Sequence, residues 1–285
     1  MQNIGFVGFG EAGLAFAKGL GGQACLLAYD AKLDDPQSQS AMQAQMQAGG
    51  AQPCTLAELK AADAVFCLVT ADQALAAARL AAPYLAEGTL WLDGNSCAPS
   101  TKRAAHAVIG AGGGAYVDMA IMAPVHPKGH QTPVLVSGPH AQAALTLLQK
   151  LGMNGAGAGT KVGDASTIKM LRSVIIKGME ALTTEAFLAA RRAGVEQAVI
   201  ASLQASDGGI DWLARGAYNL ERMMVHGARR AAEMQEVVRC LDDLGLPSRM
   251  AIATATWQAE LAAFGLKAGP DDLAARADLV LQALT

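Results

Sequence analysis

The chain has 285 residues, of which 52% are apolar and 16% charged, so a large core is available and wholesale disorder is excluded. Its length suits one domain of roughly 150 residues plus a smaller second one. A net charge of −3, with no basic block or basic-aromatic stripe, argues against a nucleic-acid partner. No uninterrupted apolar run approaches the roughly 20 residues of a membrane span; the nearest, 71–90, is broken by Asp72, Arg79, Pro83 and Glu87.

The chain opens with a strand candidate at 4–7 rather than a cleavable leader. Further candidates lie at 25–29, 65–69, 90–93, 115–118 and 134–137. Between several of them run Ala-rich helical stretches such as 37–48 and 73–82. Alternation of this kind predicts an α/β, doubly wound, mostly parallel sheet. The Gly-rich patches 110–114 and 155–159 read as loops. After Gly163 the pattern turns helical. One long helix runs from Asp164 to about Ala193, with Asp164 or Ser166 as its cap and Gly194 at a left-handed C′ position. Some 30 residues reach about 45 Å, enough to leave one domain and enter another. Later breaks fall at 207–209, 245–247 and 265–270, and Pro270 suits a helix start. The expected division is a dinucleotide-binding domain at 1–163 and an all-helical domain at 164–285. Five scattered cysteines, without metal-ligand spacing, fit thiols in a reducing cytoplasm.

Gly8-Phe9-Gly10-Glu11-Ala12-Gly13 matches G-x-G-x-x-G, follows the first strand and opens a helix. Gly8 allows the tight turn, Gly10 admits a pyrophosphate to the backbone, and Gly13 lets helix and strand pack closely. The phosphates would meet free N–H groups at the helix start. Asp30 ends the second strand, where an acid accepts from both ribose hydroxyls of NAD and repels the extra phosphate of NADP. NADP stays open because Lys32 is near. Val69 and Thr70, closing the next strand, complete the expected cofactor contacts. The competing reading is that the glycines only permit a turn and that Asp30 caps the next segment.

With these motifs the chain resembles the β-hydroxyacid dehydrogenases, the superfamily of 3-hydroxyisobutyrate and 6-phosphogluconate dehydrogenases, in a short branch with a divergent C-terminal domain. Asp93-Gly94-Asn95-Ser96-Cys97-Ala98-Pro99 stands where the family has D-x-S-T-x-x-P. The resemblance puts Asn95 and Ser96 near both nicotinamide and substrate. The segment from Gly163 to Ser173 matches G-x-G-x-x-x-K-x-x-x-N at Gly163 and Lys169, with Ala165 and Ser173 replacing the second Gly and the Asn. Two departures bear on the substrate. Met122-Ala123-Pro124 fills the S-G-G slot, and Pro124 has no N–H to offer a carboxylate. The family's later Lys-Asp pair falls on Ala232-Glu233. Met119, Met122 and Pro124 therefore point to a substrate of more apolar bulk than 3-hydroxyisobutyrate.

The resemblance makes Lys169 the catalytic acid-base. A partly desolvated lysine beside a cationic nicotinamide has a lowered pKa and works near neutral pH. Ser173 and Lys177 follow on the same helix face at i+4 steps. Ser173 is the supporting catalytic residue, and Lys177 is a substrate contact. Arg222, His226, Arg229, Arg230 and Glu233 share one helix side and read as a solvated face or as an anion patch, in which Arg229 would contact substrate. The loop His126-Pro127-Lys128-Gly129-His130 offers Lys128 and Met122 sits just before it, both as substrate contacts; no metal is expected there, since no carboxylate or cysteine joins the histidines at ligand spacing.

These readings imply an NAD-dependent oxidoreductase acting on a small 3-hydroxy acid or its keto partner, assembled as a homodimer or larger homo-oligomer in the cytoplasm. Two alternatives stand beside it: an imine reductase-like enzyme, against which Lys169 counts, and a dinucleotide-binding regulatory protein without turnover.

Overall fold

A computed structural model describes residues 2–284. The N-terminal part contains β1 (Gln2–Val7), α1 (Glu11–Leu20), β2 (Ala24–Tyr29), α2 (Gln39–Ala48), β3 (Gln52–Pro53), β4 (Ala64–Cys67) and α3 (Ala74–Ala81). It continues with β5 (Leu90–Asp93), α4 (Pro99–Ala111), β6 (Ala115–Ile121), β7 (Val134–Ser137), α5 (Ala141–Lys150) and β8 (Gly155–Gly159). The eight strands form one sheet in the order β3-β2-β1-β4-β5-β6-β7-β8. Neighbours are parallel except β6 and β7. The strand order reverses beside β1, which is the topological switch point of a Rossmann-type fold.

Period-2 alternation explains the two cores. Ile4, Phe6, Phe66, Leu92 and Val117 bury into one apolar cluster; Val7, Val65, Trp91 and Tyr116 bury into another. Phe6 stacks on Phe66 and meets Phe9 edge-on, each pair with centroids 5.6 Å apart. Each such large side chain contributes about 1.5–3 kcal/mol on burial.

Two readings need correction. Residues 155–159 are not a loop but strand β8, paired in parallel with β7. A run of Gly and Ala carries no strand propensity, so tertiary pairing imposes the conformation. A Cβ on Gly155 would lie 2.8 Å from Leu148 Cδ1, so α5 packs directly on the bare backbone. Strand β6 also runs three residues beyond Asp118, and this buries Met119 completely in the first core. Met119 is therefore a packing residue, not part of a substrate slot.

The long helix is α6 (Asp164–Arg192), and Gly194 follows it at φ +72°, the left-handed geometry expected of a C′ glycine. Its start is held differently from the expectation. Asp118, on β6, accepts the N–H groups of Gly163 and Ser166, both at 3.1 Å, and the Ser166 hydroxyl at 2.6 Å. Asp164 instead accepts the Lys161 N–H. This first turn belongs to the sheet: the two compact units divide between Lys169 and Met170, six residues after the helix start expected as the boundary.

The second unit contains the rest of α6 with α7 (Glu196–Ser206), α8 (Trp212–Asp243), α9 (Arg249–Ala263) and α10 (Leu273–Ala283). Phe187, Leu220, Met223 and Leu261 lie in its larger core, and Met170, Met234 and Val237 in a smaller one. Helices α8 and α9 approach closely, since a Cβ on Gly227 would lie 2.5 Å from the Gln258 carbonyl oxygen. Among the described residues no helix is long and apolar enough to cross a membrane.

Candidate functional site

Gly8 has φ +85°, and a Cβ there would lie 2.7 Å from both the Leu68 carbonyl oxygen and Val69 Cγ1. Only glycine fits that turn. A Cβ on Gly13 would approach the Gly8 carbonyl oxygen to 3.0 Å, which is the close helix-strand packing expected of the third glycine. Gly10 is different: no atom lies within 4 Å of its virtual Cβ, and no side chain caps α1. The exposed Gly10 and Glu11 thus open the N-terminus of α1 to an anion. Phe9 is a packing residue of the turn: its ring is fully buried, its N–H donates to Asp30 and its carbonyl accepts from Gln45.

Asp30 sits at the end of β2, half-buried, and both its oxygens are engaged. One accepts the Phe9 N–H at 2.8 Å and the other accepts the Lys32 N–H at 3.0 Å. The carboxylate is therefore fixed against the glycine turn and also caps the segment after it. Beside it lies an open pocket of about 380 Å³ lined by Tyr29, Asp34, Cys54, Thr55 and Glu58 among others, with no lysine or arginine in its wall. Burial and the hydrogen bond to Asp34 push the Tyr29 phenol up to about 12. Thr70 is exposed beyond β4.

At the end of β5, Asn95 donates its N–H and its amide to Asp93 Oδ1 at 3.0 and 2.7 Å. The Asn95 side-chain Oδ1 is buried without a partner, as is the Ser96 hydroxyl. A buried polar atom is costly to leave unpaired, and a polar group of a bound ligand would satisfy either one. Both residues follow β5, which lies on the far side of β4 from β1 and its glycine turn.

Lys169 is half-buried on α6, one turn after Ser166. Ser173 and Lys177 are buried further along α6: the Lys177 amine donates to Ser173 Oγ at 3.3 Å and pairs with Glu233 at 2.8 Å. Arg229 pairs with the same Glu233 at 2.5 Å. Arg230 turns inward to Glu180, its Nε 2.7 Å from the carboxylate. Of the cations on this side of α8, Arg230 is buried, Arg229 stays 53% exposed beside Glu233, and Arg222 and His226 each lie 3.7 Å from Glu221. Met122 is half-buried and Lys128 exposed; the 3₁₀ turn after Lys128 rests on α1, with the His130 ring filling the space beside Gly19.

One cluster escaped the sequence reading. Lys102 is fully buried on α4, 3.0 Å from Asp93 and 3.5 Å from Asp118. Tyr116 donates to Asp93 at 2.7 Å. No local signal marks it in the sequence: Asp93 and Asp118 become direct partners only through the pairing of β5 with β6, and two buried carboxylates side by side call for a cation.

Residues 3–162 match the NAD binding domain of 6-phosphogluconate dehydrogenase. The chain belongs to this family. Within it, residues 190–261 match a domain of unknown function, DUF1932. A conserved hypothetical protein from Sinorhizobium meliloti 1021 is 38% identical, with a TM-score of 0.80 over 99% of this chain and 97% of its own. The 3-hydroxyisobutyrate dehydrogenase of Mycobacterium tuberculosis, solved with L-serine, is 18% identical with a TM-score of 0.76 over 98% and 99% of the two chains, and shares the fold. An uncharacterized 28.5 kDa protein of Methanothermus fervidus is 32% identical over 53% of this chain, a match that spans 57% of that relative. The first unit is thus an NAD-binding, Rossmann-type domain, and the chain as a whole has the fold seen in 3-hydroxyisobutyrate dehydrogenase.

Proposed function

We propose that this family member is an NAD-dependent dehydrogenase, moving a hydride between nicotinamide and a small 3-hydroxy acid or its keto partner. The observation that carries the reading is the orphaned pair at the end of β5. The Asn95 side-chain amide oxygen and the Ser96 hydroxyl are buried without partners, while Gly10 leaves the α1 N-terminus open. Bound there, NAD supplies the hydride acceptor. The N–H groups at the start of α1 would hold its pyrophosphate, and Asp30 a ribose hydroxyl. Asp34 and Glu58, in a pocket wall without cations, favour NAD over NADP.

Lys169 is the acid-base. Its neutral amine takes the proton from the substrate hydroxyl during oxidation and returns it during reduction. Ser173, one turn on, supports the same oxygen. Lys177, Arg229, Lys128 and Met122 serve substrate binding in this reading, and the apolar Met122 beside donor-free Pro124 favours a bulkier acid than 3-hydroxyisobutyrate. A homodimer is inferred from the stripe Ile168, Leu171, Ile175 and Leu182 on α6, exposed by 40–65%. The five cysteines are free thiols, which supports a cytoplasmic setting.

The experiment is a panel of 3-hydroxy acids and cyclic imines assayed by the absorbance of the reduced cofactor. Turnover of hydroxy acids supports the proposal. Turnover of imines alone replaces it with an imine reductase, and tight NAD binding with silence on the panel with a non-catalytic role.

A further inference from the structure

Lys102 has no exposed surface and cannot touch a ligand, yet it sits between the two segments assigned to the reaction. Its ammonium donates to the Asp93 carbonyl at 2.6 Å, to Asp93 Oδ1 at 3.0 Å and to the Met119 carbonyl at 3.4 Å, and lies 3.5 Å from Asp118 Oδ1. From there two arms diverge. Asp93 Oδ1 accepts both N–H groups of Asn95, and Tyr116 holds its other oxygen. Asp118 accepts the Gly163 and Ser166 N–H groups and the Ser166 and Ser137 hydroxyls.

The electrostatics require the cation. Asp93 and Asp118 are both essentially buried neighbours on adjacent strands, and two carboxylates repel strongly where water cannot screen them. Burial alone would push the Lys102 pKa down, but Asp93 and Asp118 overcome it and hold the group above the ordinary lysine value. The partial positive charge at the start of α6 adds to the stabilisation of Asp118.

We propose that Lys102 is a positioning residue: through Asp93 it fixes the Asn95–Ser96 turn, and through Asp118 the first turn of α6, which carries Lys169. One buried charge thereby sets both halves of the reacting site in register. The proposal rests on the dehydrogenase reading above for its meaning, and its test does not depend on turnover.

In Lys102→Met, amide hydrogen exchange should accelerate by about tenfold or more at Asn95, Gly163 and Ser166, while Phe9, held by Asp30, serves as the internal reference and changes little. Affinity for NADH should fall by about fivefold or more while ADP-ribose, which lacks nicotinamide, binds as before. A uniform loss of protection at all four amides, or equal losses for NADH and ADP-ribose, would overturn the proposal. If Lys102→Met does not fold, Asp118→Asn decides. It should loosen Gly163 and Ser166 but spare Asn95, and loosening all three or none refutes the two-arm arrangement. A loss of the dehydrogenase reading would show separately, as silence of the wild-type protein on the hydroxy-acid panel.

Discussion

The Lys177 ammonium lies 2.8 Å from the Glu233 carboxylate and ties α6 to α8 inside the helical unit. The Lys177 side chain is only 7% exposed and that of Glu233 16%. Glu233→Gln should therefore lower stability by about 3 kcal/mol, the low end for a buried pair that loses one partner. Thermal unfolding checks it. The double variant Glu233→Gln, Lys177→Met should regain most of the loss, because no buried charge is then left alone. An unchanged melting temperature in the single variant contradicts the structural role.

Lys169→Ala should reduce kcat by about 10²–10⁴, the usual range for a general acid-base group, or about 3–5 kcal/mol of barrier. NAD affinity should hold, since the phosphate turn is on β1 and α1. Ser173→Ala should cost less. Steady-state kinetics with parallel cofactor titrations make the test. Near-normal kcat in a folded, NAD-bound Lys169→Ala protein would move the role to Lys177.

The ratio of kcat/KM for NAD over NADP should exceed one and collapse in Asp30→Ala. The carboxylate is aimed by its bonds from Phe9 and Lys32, and it repels a 2′-phosphate. A wild-type preference for NADP would show that the Lys32 side chain outweighs it.

Acid should weaken the helical unit through His226. Burial first and then Arg222 lower its pKa below 6.5, Arg229 and Arg230 act in the same direction, and Glu221 opposes them. The folded state thus prefers the neutral ring. Its contribution is fully present above the unfolded value of about 6.5 and is lost as pH falls through the folded one. Between about pH 7 and pH 5 the wild-type melting temperature should drop more than that of His226→Gln. Parallel curves for the two proteins would remove His226 from the account.

Light scattering at micromolar concentration should report a dimer, and Ile175→Glu with Leu182→Glu should shift it toward monomer. A monomeric wild type contradicts the inferred role of the α6 stripe.

The sheet and the phosphate turn were readable because their signals are local. Alternating apolar residues mark the strands, and Gly8, Gly10 and Gly13 have distinct steric jobs within six residues. Gly194 marked the end of α6 in the same way. Strand β8 was not readable, because Gly155-Ala156-Gly157-Ala158-Gly159 has no side-chain pattern and owes its conformation to β7 and α5. The Lys102 cluster was hidden for another reason. Asp93, Lys102, Asp118 and Ser166 are ordinary polar residues in sequence, and only the pairing of β5 with β6 makes them neighbours. The cap of α6 comes not from the helix itself but from a strand some 45 residues earlier.

Trp91, fully buried on β5, is the one tryptophan of the sheet unit, while Trp212 and Trp257 belong to the helical unit. The chain therefore carries its own optical labels. With Trp212→Phe and Trp257→Phe, the emission of the remaining indole follows the melting of the sheet unit by itself. Its transfer of excitation to bound NADH would report occupancy of that unit, with no added dye and no need for a substrate.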